Sequence, residues 1–465
     1  MNDRPNVLLI ITDQQRPDTM GFRGETPCRT PNIDRIASEG ISFDRAITPC
    51  PLCLPSRASL FTGVYPTQNN MMDASVGYLD DCQMLDHFRG AGYQINYAGK
   101  WHMGEGNIGD FTDRHAGDST LEYSKWCKDQ GLIDGWMFND PKTRTTRTPS
   151  MSIPKVHVQD IPVDKTNEAY VTDFAIDMLK TRDKDKPYFQ VCSFNGPHPP
   201  FMIPEPYFSM YNLANVPKPD NFGPQVGELE LNQTSFYRQL FLDHSDDFED
   251  WRASFAVYWG FVTMIDDHIG RLLETLENEG LFENTVIIFT SDHGENLGSH
   301  GLWHKMVPYS QSVQVPLLLS VPNTALANIR TNAPASLIDL PPTLAAICGL
   351  ENLPEWQGVD LLHELADPNT DRAVFSMQQP LGDWMKTTDW RMIERGNLKY
   401  VWYADGSEEL FDLEKDRFET KNIIDNSAYR DKLRTLRTEL GGFLARTDDP
   451  MLSTWIDQGL IDENH

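Results

Sequence analysis

Four short apolar runs in this chain each stop at polar or ionisable residues, and that repetition limits the folds open to it. Val7 to Thr12 ends at Asp13-Gln14 and Tyr93 to Gly99 at Lys100-Trp101-His102, while Tyr188 to Phe194 leads into "NGPHPPF" and Thr285 to Ser291 into Asp292-His293. Runs of this length, rich in Val, Ile, Phe and Tyr, read as buried strands. The longer stretches between them, such as Asn167 to Arg182 and Ser254 to Gly280, carry apolar residues at helical spacing and read as covering helices. The alternation predicts an α/β sheet with helices on its faces. In open α/β sheets ligands bind beyond the carboxyl ends of the strands, so four ends loaded with Asp, Lys and His point to one shared site.

Two intervals break the alternation. Gly104 to about Asp164 is rich in Gly, Asp, Thr and Pro, and 211–250 is Pro-rich and then acidic, in "DHSDDFEDW". Both predict long loops that wall the site and choose the substrate. After about residue 370 the character changes. "RMIERGNLKYVWYADGSEELFDL" alternates like antiparallel strand material around an Asp405-Gly406 hairpin signal, and a helical pattern runs from Ser427 to Thr447. The expected organisation is a large catalytic α/β domain over 1–370 and a small C-terminal α+β subdomain over 371–465, which suits a chain of 465 residues that is 40% hydrophobic.

A net charge of −28 argues against nucleic acid and against long polyanionic substrates, because both want a basic face. No stretch reaches the ~18 apolar residues of a membrane helix. The opening "NVLLIIT" is too short for a secretory core and runs into "DQQRPD". Seven cysteines, an odd number in a long chain, do not look like a disulfide framework, so a cytoplasmic location is expected. The oligomeric state is not legible, and a homo-oligomer stays open.

The stretch "CPLCLPSRASLFTG", residues 50–63, places Cys53 at the entrance of a helix that Pro55 starts and Gly63 ends. That position favours a thiolate or a bound oxyanion. A zinc half-site lacks a second C-x-x-C or a nearby H-x-x-x-H to complete it, and redox exchange rests on the spacing alone. Cys53 differs from Cys50 in its downstream neighbours: Cys-Leu-Pro-Ser-Arg is the C-x-P-S-R signature, and it resembles the type I sulfatases of the alkaline-phosphatase-like superfamily. The resemblance extends through "NVLLIITDQQRPDTMG", "TPNIDRIASEG", "YAGKWHMG", "NGPHPPF", "VIIFTSDHGENLGSHGLWHK" and "LFDLEKDRFETKN" in the same order.

The resemblance implies an alkaline-phosphatase-like large mixed sheet, and a sulfate monoester cleaved to alcohol and inorganic sulfate. It implies that Cys53 is oxidised to formylglycine by a formylglycine-generating enzyme. It also implies a divalent metal, Ca²⁺ with Mn²⁺ as the alternative, on Asp13, Gln14, Asp292, His293 and the modified Cys53. By the same carry-over Arg57 orients the nucleophile, Lys100 and Lys305 clamp sulfate oxygens, and Lys305 or His198 protonates the departing alcohol. His102 takes the proton whose loss releases sulfate. These residue types suit the chemistry, since a sulfate ester needs a cation, positive side chains and a general acid. Taken singly, Asp13, His198 and Lys305 read equally well as a turn residue, a loop histidine and a surface lysine; their joint occurrence argues otherwise.

Two positions depart from the commonest family pattern, which has Asp-Asp and Asp-Asn where this chain has Asp13-Gln14 and Asp292-His293. An imidazole nitrogen makes the site more tolerant of Mn²⁺. The same pair resembles choline sulfatases and phosphonate monoester hydrolases, so phosphonate monoester or phosphodiester hydrolysis at this site is the alternative reading. The acidic surface favours a small sulfated substrate. Glu295 is a candidate support for the site, Trp303 and His304 are candidate substrate contacts, His300 reads as structural, and Met71 and Met72 read as packing.

Overall fold

A computed structural model describes residues 4–72, 79, 81–104, 108–117, 120–132, 156–225, 238, 245–366, 371–380 and 389–460. Among the described residues, ten strands precede residue 340: β1 (Asn6–Thr12), β2 (Ile41–Ile47), β3 (Gln94–Gly99), β4 (Arg114–Ala116), β5 (Val156–Val158), β6 (Tyr188–Ser193), β7 (Phe201–Ile203), β8 (Thr285–Ser291), β9 (Leu317–Ser320) and β10 (Ile329–Ser336). Eight of them form a mixed sheet in the order β10-β2-β9-β8-β1-β6-β3-β4. β8, β1, β6 and β3 are neighbours and parallel, so the four strand ends singled out in the sequence lie side by side. β9 runs antiparallel to β2 and β8.

The sequence of β1, NVLLIIT, is buried along its whole length, as expected of a parallel strand covered on both faces. Its period of two divides the cores. Leu8 and Ile10 join one cluster with the helices α3 (Asn167–Lys180) and α4 (Phe248–Asn278), whereas Val7, Leu9 and Ile11 join another with α2 (Cys53–Thr62). The remaining helices used below are α1 (Pro31–Ser38) and α5 (Arg430–Arg446).

α4 starts before the apolar periodicity does. The acidic run read as loop supplies its cap: the Asp247 side chain accepts the Glu249 N–H, and Glu249 and Asp250 fill the first turn at the positive end of the dipole. The helix Thr120–Asp129 and the strand β5 fall in the expected loop of Gly104 to Asp164; residues 133–155 of that interval, like 226–237 of the other, lie outside the described residues.

The C-terminal part holds a four-stranded antiparallel sheet, β11 (Val374–Gln378), β12 (Trp390–Arg395), β13 (Leu398–Tyr403) and β14 (Glu408–Asp412). Gly406, at φ 89°, turns β13 into β14 as the Asp-Gly signal predicts. α5 lays Leu436, Leu440 and Phe443 on Phe375, Ile393 and Trp402. Among the described residues, no helix is long and apolar enough to cross a membrane.

Candidate active site

β1 and β8 pair in register through Thr12 and Ser291, which brings Asp13 and Asp292 to the same level at the sheet's carboxyl edge. The Asp292 N–H donates to Thr12 O at 3.2 Å and the Asp13 N–H to Gly196 O at 3.1 Å, tying the ends of β8, β1 and β6 together. Gln14 then turns through a left-handed φ of 67° so that its N–H donates to Asp292 Oδ1 at 3.1 Å. The glycine of "SDHG" has a steric reason: a Cβ on Gly294 would stand 2.1 Å from Gln311 O. α2 starts at Cys53, ends on Gly63 at φ 73° and is buried at every position, so its amino end is fixed against these strand ends. The serine of C-x-P-S-R helps hold it there, Ser56 Oγ donating to Asp292 O at 2.5 Å.

Asp13, Cys53, Asp292 and His293 present ligand atoms that all lie within 4.8 Å of one another. Cys53 Sγ lies 3.1 Å from His293 Nε2 and 3.7 Å from Asp13 Oδ1. Arg57, one turn along α2, donates from Nε to Asp292 Oδ2 at 2.9 Å and from Nη1 to Ser193 Oγ at 2.7 Å, with Nη2 3.5 Å from Asp13 Oδ2. Lys100 Nζ pairs with Asp13 Oδ2. Lys305 Nζ donates to Gln14 Oε1 at 2.6 Å and to Cys53 Sγ at 3.3 Å. Nine of the ten candidate residues are therefore buried or half-buried around Cys53, His198 included, its Nδ1 donating to Pro199 O at 2.6 Å. His102 stands apart: it is exposed, with a left-handed φ of 53°.

Charge is concentrated here. Burial and Asp13 push the Cys53 thiol up, but Lys305, Lys100 and His293 outweigh them and hold it well below the usual thiol range. Burial likewise opposes the Asp13 carboxylate, yet Lys100 foremost, with Lys305 and Arg57, keeps it well below the carboxylate range. Asp292 goes the other way, raised by burial and by the charge of Asp13. Burial and the neighbouring Lys305 push His198 down to about 3, leaving its imidazole neutral.

These residues fit a divalent cation. Two carboxylates share a site sealed from solvent, and one is raised by the other's charge, a repulsion that a bound cation relieves. His293 Nδ1 donates to Gly294 O at 2.9 Å, which leaves the Nε2 lone pair facing the two carboxylates, the orientation a metal-ligating histidine needs. Gln14 adds an amide oxygen nearby, bonded to Lys305 Nζ, which also reaches Cys53 Sγ.

Some supports were not visible in the sequence. Ser193, at the end of β6, joins Arg57 to Lys100 O. Glu295 is a fuller participant than its spacing suggested: Oε1 accepts the N–H of Leu297 and of His304 at 2.8 Å each, and Oε2 accepts from Gln14 Nε2. His304 Nδ1 lies 3.3 Å from Gln14 Nε2. His300 stacks on Tyr309 at 3.8 Å, while Met71 and Met72 are buried in hydrophobic clusters. The signal available for Ser193 was its place at the end of one of the four runs.

A family model described as Sulfatase matches residues 5–350, and one described as N-sulphoglucosamine sulphohydrolase, C-terminal, matches residues 298–445. The chain is 28% identical to an arylsulfatase of Clostridium perfringens, over 93% of each chain. It is 26% identical to a choline-sulfatase of Rhizobium meliloti, covering 97% of this chain and 90% of that one. A solved phosphonate monoester hydrolase of Agrobacterium radiobacter superposes with a TM-score of 0.77 at 25% identity, with 96% of each chain covered.

Proposed function

The chain belongs to the sulfatase family, and from that premise we propose how the residues of its site divide the work. The protein is a sulfuric ester hydrolase that cleaves a sulfate monoester to alcohol and inorganic sulfate. Converted to formylglycine by its generating enzyme, residue 53 supplies a hydrated aldehyde, one hydroxyl of which attacks sulfur while the other provides the route by which sulfate leaves. Asp13, Gln14, Asp292, His293 and the oxygen of residue 53 would hold a divalent cation, which when bound would acidify the nucleophile and draw charge from the sulfate oxygens. Ca²⁺ is the proposed ion, and the His293 nitrogen is what lets Mn²⁺ compete.

Arg57 holds Asp292 and Asp13 in place and offsets their charge next to the nucleophile. Lys100 and Lys305 reach Asp13 and Cys53 from either side, where the sulfate oxygens would sit. Between the two candidate acids, the geometry favours Lys305. His198 is held neutral with Nδ1–H committed to Pro199 O, so its Nε2 accepts rather than donates, whereas the Lys305 ammonium stands beside Cys53. His102, exposed two residues beyond Lys100, is assigned the proton of the second hydroxyl. The acidic chain favours a small sulfated substrate, and the proposed location is the cytoplasm.

The observation that carries this reading is the convergence of Asp13, Asp292, His293 and Lys305 on the cysteine of C-x-P-S-R. Phosphonate monoester hydrolysis is the second reading, favoured by the Gln14 and His293 pair and by the Agrobacterium likeness. The test is kcat/KM of the fully modified, metal-loaded enzyme on 4-nitrophenyl sulfate and on the matching phenylphosphonate monoester. The sulfatase reading expects the sulfate to be preferred; a preference for the phosphonate assigns the site to the second reading.

A further inference from the structure

Lys305 lies on irregular backbone. Residues 302–309 form neither helix nor strand, and the residues on either side of Lys305, His304 and Met306, have left-handed φ of 67° and 72°. The large domain holds the segment's amino side, where Glu295 Oε1 accepts the His304 N–H, the Asn296 N–H donates to His304 O, and Pro51 O accepts the Met306 N–H; from the Met306 carbonyl to Ser310 the ties come from the C-terminal part. Trp390 Nε1, on β12, donates to Met306 O at 3.1 Å. Lys399 Nζ, on β13, donates to Pro308 O at 3.2 Å and Ser310 Oγ at 2.9 Å, and pairs with Glu419 Oε1 at 2.5 Å. Glu419 Oε2 in turn accepts the Ser310 N–H at 2.7 Å. The Tyr309 hydroxyl donates to Glu409 Oε1, on β14, at 3.3 Å.

The Lys399–Glu419 pair is sealed from solvent on both sides. Taking two charges out of water costs about as much as their attraction returns, so such a pair is a poor source of stability for its own sake. Here its further hydrogen bonds go to one short stretch of chain, three to five residues beyond Lys305. The same sheet also reaches the turn before Cys53, the Met377 N–H donating to Pro49 O at 2.9 Å and Cys50 Sγ to Gln378 Oε1 at 3.3 Å.

We propose that the buried Lys399–Glu419 pair, with Trp390, is a positioning device that sets Lys305 against the departing alcohol, so that the C-terminal sheet is a working part of the active site. This rests on the reading of Lys305 as proton donor. Lys399 and Glu419 touch no reacting atom; they act through the backbone that carries Lys305.

The test uses the modified, metal-loaded enzyme and a series of aryl sulfates whose phenols differ in acidity. Four variants are compared: Lys305→Ala, Lys399→Met, the double variant Lys399→Met/Glu419→Gln, and Leu440→Ala as a destabilised control in the α5 core. The double variant removes both charges, so it keeps the test open if the single variant fails to fold. Lys399→Met or the double variant should lower kcat/KM on the poorest leaving group by about 10-fold or more while leaving a nitrophenyl ester within about 2-fold. Amide exchange over 303–310 should quicken in these variants and not in Leu440→Ala. An equal loss on every ester, or unchanged exchange over 303–310, overturns the inference. If Lys305→Ala itself shows no dependence on the leaving group, the assignment of the proton donor fails instead, and that result is distinguishable because it does not depend on Lys399.

Discussion

Asp13, Arg57, Asp292 and His293 are sealed from solvent, whereas across the same site His102 is exposed and Lys100 and His198 are half-buried. The sealed half is built where regular elements end: two parallel strands in register and the first turn of a helix. Its members also bond to one another, as in Arg57 to Asp292 and the Gln14 N–H to Asp292. The open half includes His102 at a left-handed φ, while Lys305, though buried, likewise lies on irregular backbone between two left-handed residues. The contrast teaches that the proposed metal donors and Cys53 are pre-positioned by the sheet and α2, where reorganisation is costly, and that the proposed substrate contacts are carried on segments held from elsewhere.

The contrast breaks most sharply at the carboxylates. Asp292→Asn should cut metal affinity by at least ~100-fold and activity with it, because it removes a formal charge from a site with no solvent to compensate. Asp13→Asn should act alike, and titration of metal-depleted protein by calorimetry reads both. Metal affinity within a few-fold of wild type in both variants would mean that these donors do not hold the ion.

The groups proposed to contact substrate should fail selectively rather than completely. Lys305→Ala should lose ~10²–10⁴-fold in kcat/KM on a poor leaving group and far less on an activated phenol. His198→Ala, which removes a neutral imidazole that does not donate to the leaving group, should show a smaller loss without that dependence on the leaving group. His102→Ala should release one burst of phenol and then stall with sulfate on residue 53, visible as added mass; steady turnover with no added mass would remove His102 from the second step.

The smallest effect sharpens the boundary between the halves. Glu168, at the start of α3, is buried with Oε1 lacking a hydrogen-bond partner, and burial raises its carboxyl from 4.5 to about 7 against backbone N–H groups of Glu168 and Gly196. Its raised folded pKa means that its contribution to stability is full below pH 4.5 and is lost as pH rises through about 7, where the folded chain must carry a buried charge. Glu168→Gln should therefore flatten the fall in Tm between about pH 5 and pH 8. Parallel Tm profiles for the two proteins would show that Glu168 does not titrate in the fold.

How much of this the sequence disclosed follows the same division. The four strand ends, the helix from Cys53 to Gly63 and the C-terminal hairpin were legible from local pattern, apolar period, cap or turn signal, whereas the roles given to the residues of the sealed half came through the C-x-P-S-R motif and the family resemblance it carries. β2, β9, β10 and β11 were not picked out, nor was the start of α4 at Phe248, whose cap lies in an acidic run that looks like loop. The supports of Lys305 were beyond reach for a different reason. Lys399 and Glu419 lie about a hundred residues downstream and are joined to it only by tertiary packing, and a buried lysine on an alternating strand looks like any other.

The central claim is that activity belongs to a modified Cys53 in the sealed half. Preparations made with varying amounts of the generating enzyme should be digested and the peptide spanning Cys50 and Cys53 weighed, alongside sulfatase activity and bound metal on the same samples. Activity should rise in proportion to the fraction of Cys53 converted to formylglycine, with Cys50 unmodified throughout and metal content constant. Full activity in protein whose Cys53 is still a thiol would contradict it.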